Sequence, residues 1–191
     1  MLRVMLVDNH LERIAPLRQS LMEAGCEVIA HLSDTVNLDE AVRRLQPDIV
    51  IIDTDSPSRD TLEHLIVMSQ NAPRPIVMCT HDGDSEKIRA ATQAGVSAYV
   101  VGDIPAARLR PVMDAAIARF DEFRALRDKL EHVNRQLVER KVIEQAKGLL
   151  MKQRGLDEDA AYSLLRSMAM QQNVKIATLA EQLIQAAKLL F

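Results

Sequence analysis

A change of hydrophobic period near Pro111 restricts this chain more than any other feature. Before it, short Val- and Ile-rich runs at 4–7, 27–31, 49–52, 76–79 and 98–101 alternate with segments at 11–24, 36–45, 61–70 and 85–94, whose apolar residues recur at helical spacing. Five nearly unbroken apolar strands separated by helices predict an α/β domain, a parallel sheet covered on both faces. Asp60-Thr61-Leu62-Glu63 predicts a helix N-terminus, and Gly25 and Gly95 fall just past predicted helix ends. After Pro111 the strand pattern does not return.

Around and beyond Pro111 the apolar residues form a seam: Leu109, Met113, Ala116, Phe120, Phe123, Leu126, Leu130, Val133 and Leu137. Steps of three and four residues make a heptad pattern with one short step between Phe120 and Leu126. A helix lying on its own domain would show the same periodicity. The seam runs past what a domain of about 110 residues needs, and its flanks are charged, so a dimeric coiled coil over 110–137 is expected. The remainder, 138–191, predicts three helices, at 138–153, from the acidic Asp157-Glu158-Asp159 to about 171, and at 175–190. Ala146, Ala160, Ala161, Ala169, Ala177, Ala180, Ala186 and Ala187 let these helices approach closely in a compact bundle.

The charge supports this division. Residues 1–110 carry eleven basic and sixteen acidic side chains, whereas 138–191 carry eight and six. An acidic front and a mildly basic tail place any polyanionic partner on the tail. No apolar stretch approaches the roughly 20 residues that span a bilayer, and the first residues lack a signal-peptide pattern, so a cytoplasmic protein is expected. Cys26 and Cys79 both sit in strand-like runs and are expected as buried thiols, not a disulfide or a metal site.

In an open α/β sheet the site lies beyond the carboxyl ends of the strands. Those ends deliver Asp8 and Asn9, Asp53, Thr80, and then Tyr99 followed by Gly102. Their order and spacing over residues 1–120 resemble the flavodoxin-like receiver domain of response regulators. The resemblance implies Mg²⁺ held by two acids after the first strand together with Asp53, phosphoryl transfer to Asp53, and contacts from Thr80 and from a lysine after the fifth strand. Asn9 stands in place of the second acid and Gly102 in place of the lysine. Phosphoryl transfer relies on neutralising charge on the phosphoryl oxygens, and one lost charged hydrogen bond costs about 1.5–3 kcal/mol. Asp53, Thr80 and Tyr99 are thus expected to form a weak or inactive phosphoacceptor site. Asp8, Asn9 and Asp53 would retain at most a residual Mg²⁺ site, and no cofactor is required.

The tail VIEQAKGLLMKQRGLDEDAAYSLLRSMAMQQNVKIATLAEQLI closely resembles the ANTAR RNA-binding domain of transcription antiterminators. Receiver-like half, coiled coil and ANTAR tail together resemble the AmiR/NasT family, and Asp53-Thr54-Asp55-Ser56-Pro57-Ser58-Arg59-Asp60 resembles its nitrate- and nitrite-responsive NasT branch. That resemblance implies an antiterminator without catalytic activity. It would bind paired hairpins in an mRNA leader as a homodimer, under the control of a nitrate/nitrite sensor protein of the NasS type. Arg140, Lys147 and Arg154, seven residues apart, predict one basic helical stripe. Lys141 lies beside it, and Gly148 at its edge allows close backbone approach. Tyr162 and Arg166 are i, i+4 neighbours suited to stacking on unpaired bases, although Tyr162 fits the bundle core equally well; Met168 and Met170 are expected in the core. The competing expectation is a phosphorylation-dependent, DNA-binding response regulator with a helix-turn-helix around 177–183. The next segment, Ile184-Gln185-Ala186-Ala187-Lys188-Leu189-Leu190, is mostly apolar and makes a poor recognition helix.

Overall fold

The computed structural model describes residues 1–8 and 11–190, without the side chains of 11–14 and 188–190. The front half alternates β1 (Leu2–Asp8), α1 (Leu11–Glu23), β2 (Cys26–Leu32), α2 (Leu38–Leu45), β3 (Ile49–Asp53), α3 (Arg59–Asn71), β4 (Ile76–Thr80), α4 (Ser85–Gln93) and β5 (Ala98–Val101). The strands form one parallel sheet in the order β2-β1-β3-β4-β5.

Alternate strand residues point to opposite faces. Met5, Val7, Val50, Ile52 and Met78 pack with Leu38, Val42, Leu65, Met68 and Ala91 of α2, α3 and α4. Val4, Leu6, Ile49, Ile51 and Val77 pack with Leu21 of α1 and with Leu109, Met113 and Ala116 of the following helix. Both faces are covered, which is why the strands read as unbroken apolar runs. Each fully buried Ile or Leu stabilises the fold by about 1.5–3 kcal/mol.

Local signals set the helix ends. Ser58, not Asp60, caps α3, its Oγ accepting from the Thr61 amide at 3.1 Å. Asp84 caps α4. Gly95, at φ +102, ends that helix where an added Cβ would lie 3.0 Å from Ser69. Both its backbone conformation and its close contact therefore demand glycine.

The separate helices expected at 110–137 and 138–153 are one continuous helix, α5 (Ala106–Arg154). No glycine or proline interrupts it between Pro111 and Gly148, so nothing in the chain breaks it at 137. Then come α6 (Glu158–Gln171) and α7 (Ile176–Leu190). The Asp157 side chain caps α6, accepting from the Ala160 amide at 2.7 Å. The chain divides into two compact units, Met1–Arg124 and Ala125–Phe191. In the second, Ala146 and Leu150 of α5 pack with Ala161, Leu165 and Ala169 of α6 and with Leu179 and Ala180 of α7.

Part of the α5 seam belongs to the first unit's own core: Leu109, Met113 and Ala116 are buried there. From Phe123 onward the seam is open, and Phe123 (71% exposed), Leu126, Leu130, Val133 and Leu137 all face solvent. Among the described residues no helix is long and apolar enough to cross a membrane.

Candidate functional site

Two regions carry the residues singled out by sequence. At the carboxyl edge of the sheet, Asp8 and Asp53 are register partners on neighbouring strands β1 and β3, where the strand order reverses. Asp8 is buried, and its backbone carbonyl accepts from His31 Nε2 at 3.0 Å. Asp53 is half-buried. Next to it on β4 lies Cys79, whose thiol burial pushes up to about 12, with the Asp53 carboxylate adding to the rise. Both cysteines are buried and free. Asn9 lies outside the described residues.

Among the described residues no group of three or more His, Cys, Asp or Glu side chains could hold a metal ion. Of the residues expected at a residual Mg²⁺ site, Asp8 and Asp53 are described and offer hard carboxylate oxygens, and Mg²⁺ demands further hard oxygens in octahedral geometry. Gly102 has φ +84 with open space around it, and its amide donates to the Thr80 carbonyl at 2.8 Å. A lysine there would have room but would adopt a strained backbone.

Thr80 and Tyr99 are already engaged. The Thr80 hydroxyl donates to the Asp55 carbonyl at 2.7 Å and accepts from the Asp82 amide at 3.1 Å. The Tyr99 hydroxyl donates to the Asp82 carbonyl at 2.9 Å. Burial raises the Tyr99 pKa, opposed by the hydroxyl of Thr80 beside it. A cation reaches this edge from α4: Lys87 Nζ lies 2.6 Å from Asp82 Oδ2 and 2.7 Å from Ser56 Oγ. The Lys87 ammonium, with Ser56, holds the Asp82 carboxyl down at about 2.

The second region is the exposed surface of the C-terminal bundle. The stripe expected from Arg140, Lys147 and Arg154 is corrected at its centre. Lys147 is only 6% exposed, and its Nζ is paired with Glu144 at 2.9 Å and Glu158 at 2.7 Å. These partners hold the Lys147 pKa above its ordinary value, Glu158 first. Seven-residue spacing aligned the three basic residues but did not reveal that Glu158, from α6, covers the middle one.

Arg140 and Arg154 remain exposed, and Lys141, Gly148 and Lys152 share the outward side of α5. At 100° per residue these last three lie within about 40° of one another. Lys152 was missed by the seven-residue rule, although a step of eleven residues also completes about three turns. On α6, Tyr162 is 43% exposed, and Ser163, Arg166, Ser167, Met170 and Gln171 line a shallow open depression. Met170, expected in the core, is 72% exposed, whereas Met168 packs against the core.

Residues 4–114 match the response regulator receiver domain family, and residues 131–184 match the ANTAR domain. The chain belongs to the response regulators and carries an ANTAR domain. It is similar to the transcriptional regulatory protein PdtaR of Mycobacterium tuberculosis, 28% identical over 96% of this chain and 89% of that protein. Over 51% of its length it is 30% identical to the chemotaxis protein CheY of Halobacterium salinarum, covering 82% of that protein. A LuxR-family two-component response regulator from Aurantimonas sp. shares the receiver fold at a TM-score of 0.53 and 29% identity, covering 61% of this chain and 84% of that one. The receiver domain of a modulated diguanylate cyclase from Desulfovibrio desulfuricans gives a TM-score of 0.55 at 22% identity, covering 62% and 95%, which bears on fold alone. The two matches cover most of each half of this response regulator.

Proposed function

We propose that this ANTAR response regulator is a transcription antiterminator that binds paired hairpins in an mRNA leader and keeps a downstream terminator from forming. The observation that carries this reading is the outward face of α6. Tyr162, Arg166 and Met170 follow one another at i, i+4, i+8 and are exposed, with Ser163 and Ser167 alongside. The bundle core uses the other side of the helix. An aromatic ring, a guanidinium plane and small hydroxyls suit unpaired bases, while Arg140, Lys141, Lys152 and Arg154 suit phosphates. Lys147 is assigned to holding α5 against α6, and Gly148 to close backbone approach.

The open seam from Phe123 to Leu137 supports a homodimer through α5, and two ANTAR bundles would engage two hairpins with added avidity. Control by a nitrate/nitrite sensor protein of the NasS type, with nitrate assimilation genes as targets, is supported by the 53–60 stretch alone. Control without phosphorylation is supported by Gly102, which supplies no cation. The DNA-binding alternative is weakened because its segment 177–183 runs on through 190 as one helix, α7, with no turn and no separate recognition helix.

The test is anisotropy of labelled leader RNA carrying one or two hairpins, with the duplex DNA of the same sequence as control. Tight binding to the two-hairpin RNA, weak binding to one hairpin and none to DNA is expected. Equal affinity for RNA and DNA would refute antitermination. Release of the regulator from its sensor by nitrate, monitored by size-exclusion chromatography, tests the control; a complex indifferent to nitrate and nitrite removes it.

A further inference from the structure

All four polar atoms of Asp82 are engaged, and together they join the edge of the sheet. Its amide donates to Thr80 Oγ1 at 3.1 Å, and its carbonyl accepts from Tyr99 at 2.9 Å. Its Oδ1 accepts from the Asp84 amide at 3.0 Å, which begins the cap of α4. Its Oδ2 accepts from Ser56 Oγ at 2.7 Å and from Lys87 Nζ at 2.6 Å. Lys87 also donates to Ser56 at 2.7 Å, closing a triangle of side chains from the β3–α3 loop, the β4–α4 loop and α4. The Thr80 hydroxyl adds a second tie to the β3–α3 loop, through the Asp55 carbonyl.

We propose that the Ser56–Asp82–Lys87 triangle is a built-in latch that fixes Thr80, Tyr99 and both loops in one arrangement without a phosphoryl group. The anion at the centre of these contacts is a side chain of the protein itself. Lys87 gives that anion a cation, on the same edge of the sheet where Gly102 gives none. The triangle is a small network in which each member has two partners, so removing one vertex loosens both loops together. Gly83, between Asp82 and Asp84, would place an added Cβ 3.5 Å from Val101, so the latched loop also rests on the end of β5.

This inference deepens the reading that input does not arrive through Asp53, and rests on it. The experiment is hydrogen exchange read by mass spectrometry on the full chain, for wild type, Lys87→Met and Ser56→Ala, each with and without beryllofluoride and Mg²⁺. About tenfold faster exchange is expected in both 54–57 and 80–85 of Lys87→Met, with a smaller rise in Ser56→Ala. Exchange in β1 and in α6 should stay at wild-type rates, which separates unlatching from unfolding. Beryllofluoride should leave the wild-type loops unchanged.

A second readout uses Tyr99 itself. The chain has two tyrosines and no tryptophan, so in a Tyr162→Phe background all the tyrosine fluorescence comes from Tyr99. Acrylamide should quench it more strongly once Lys87→Met is added. Unchanged exchange in 54–57 of Lys87→Met, or unchanged quenching, overturns the latch. Protection of the wild-type loops by beryllofluoride also overturns it, because a phosphoryl mimic would then still set their arrangement. Failure of the reading about Asp53 shows separately, as a stable phosphoryl adduct in the intact mass after acetyl phosphate and Mg²⁺, a measurement that does not depend on these loops being latched.

Discussion

Lys147 of α5 and Glu158 of α6 are joined Nζ to Oε1 at 2.7 Å, with Lys147 almost wholly buried beneath the contact. Glu158 occupies the first turn of α6, where an acid also complements the helix dipole. The pair therefore fixes how the helix bearing Tyr162 and Arg166 meets α5. Its charge is used inside the bundle.

Lys147→Ala should lower the unfolding midpoint of the C-terminal unit and reduce RNA binding through that loss. Lys147→Met keeps the buried stem and should recover part of the thermal stability. Calorimetry on both variants checks this; a Lys147→Ala protein that melts like wild type yet loses RNA would restore a direct phosphate contact. Lys147 holds Glu158 below its ordinary value of 4.5. The pair's contribution is therefore present above that value and lost as pH falls through the depressed one. Lys147 is itself raised above 10.5, so the contribution fades at the alkaline end only as pH climbs past that ordinary value.

Asp82 gives a sharper titration. Lys87 and then Ser56 depress its carboxyl from 3.8 to about 2. Its contribution to stability is complete above 3.8 and is lost as pH falls through about 2. The carboxyl carbon shift of Asp82, tracked by NMR in acid, should have its midpoint near the lower value in wild type and move back up in Lys87→Met. An unchanged midpoint in the variant would show that the ammonium is not the cause.

The receiver-like edge should resist phosphorylation. Incubation with acetyl phosphate and Mg²⁺, then measurement of intact mass, should show no stable phosphoryl adduct. Gly102→Lys alone should not create one, since the lysine would have to adopt φ +84. A stable adduct on wild type that disappears in Asp53→Ala would reinstate Asp53 as the input.

Much of this was legible in the sequence. The parallel sheet follows from apolar runs that end in Asp8, Asp53 and Thr80, because burial on both faces removes the alternation a half-exposed strand would show. The change of period at Pro111 located the long helix. What was not legible depends on contacts between distant segments. Lys87 and Ser56 are 31 residues apart and meet only because α4 folds over the sheet edge. Helical spacing put Lys147 on a stripe but could not supply Glu158. The seam pattern could not tell Met113, packed on its own domain, from Leu130, which is open, because both obey the same period.

Tyr162 should act on RNA rather than on the fold. It is 43% exposed, so Tyr162→Ala should leave the unfolding midpoint near wild type. Base stacking on an aromatic ring contributes about 1–3 kcal/mol, so binding to the hairpin RNA should weaken roughly 5- to 150-fold. Tyr162→Phe keeps the ring and should retain most of the affinity. A large fall in Tyr162→Phe would point to a hydrogen bond from the hydroxyl, and no change in Tyr162→Ala would move the base-binding face off α6.

Leu130 tests the dimer. It lies in the middle of the open seam, 62% exposed in the single chain. Leu130→Glu should thus leave each unit folded, while placing like charges against one another in any pair of α5 helices. Sedimentation of the RNA-bound complex should fall from two protein chains to one. Linking two binding domains raises overall affinity by about 10²- to 10⁴-fold without any new contact, so the variant should lose most of its preference for two hairpins and keep its affinity for one. If Leu130→Glu loses one-hairpin binding as well, the seam serves the ANTAR bundle directly. If it still binds as a dimer with full preference, the chains pair elsewhere and the exposed heptads serve another partner.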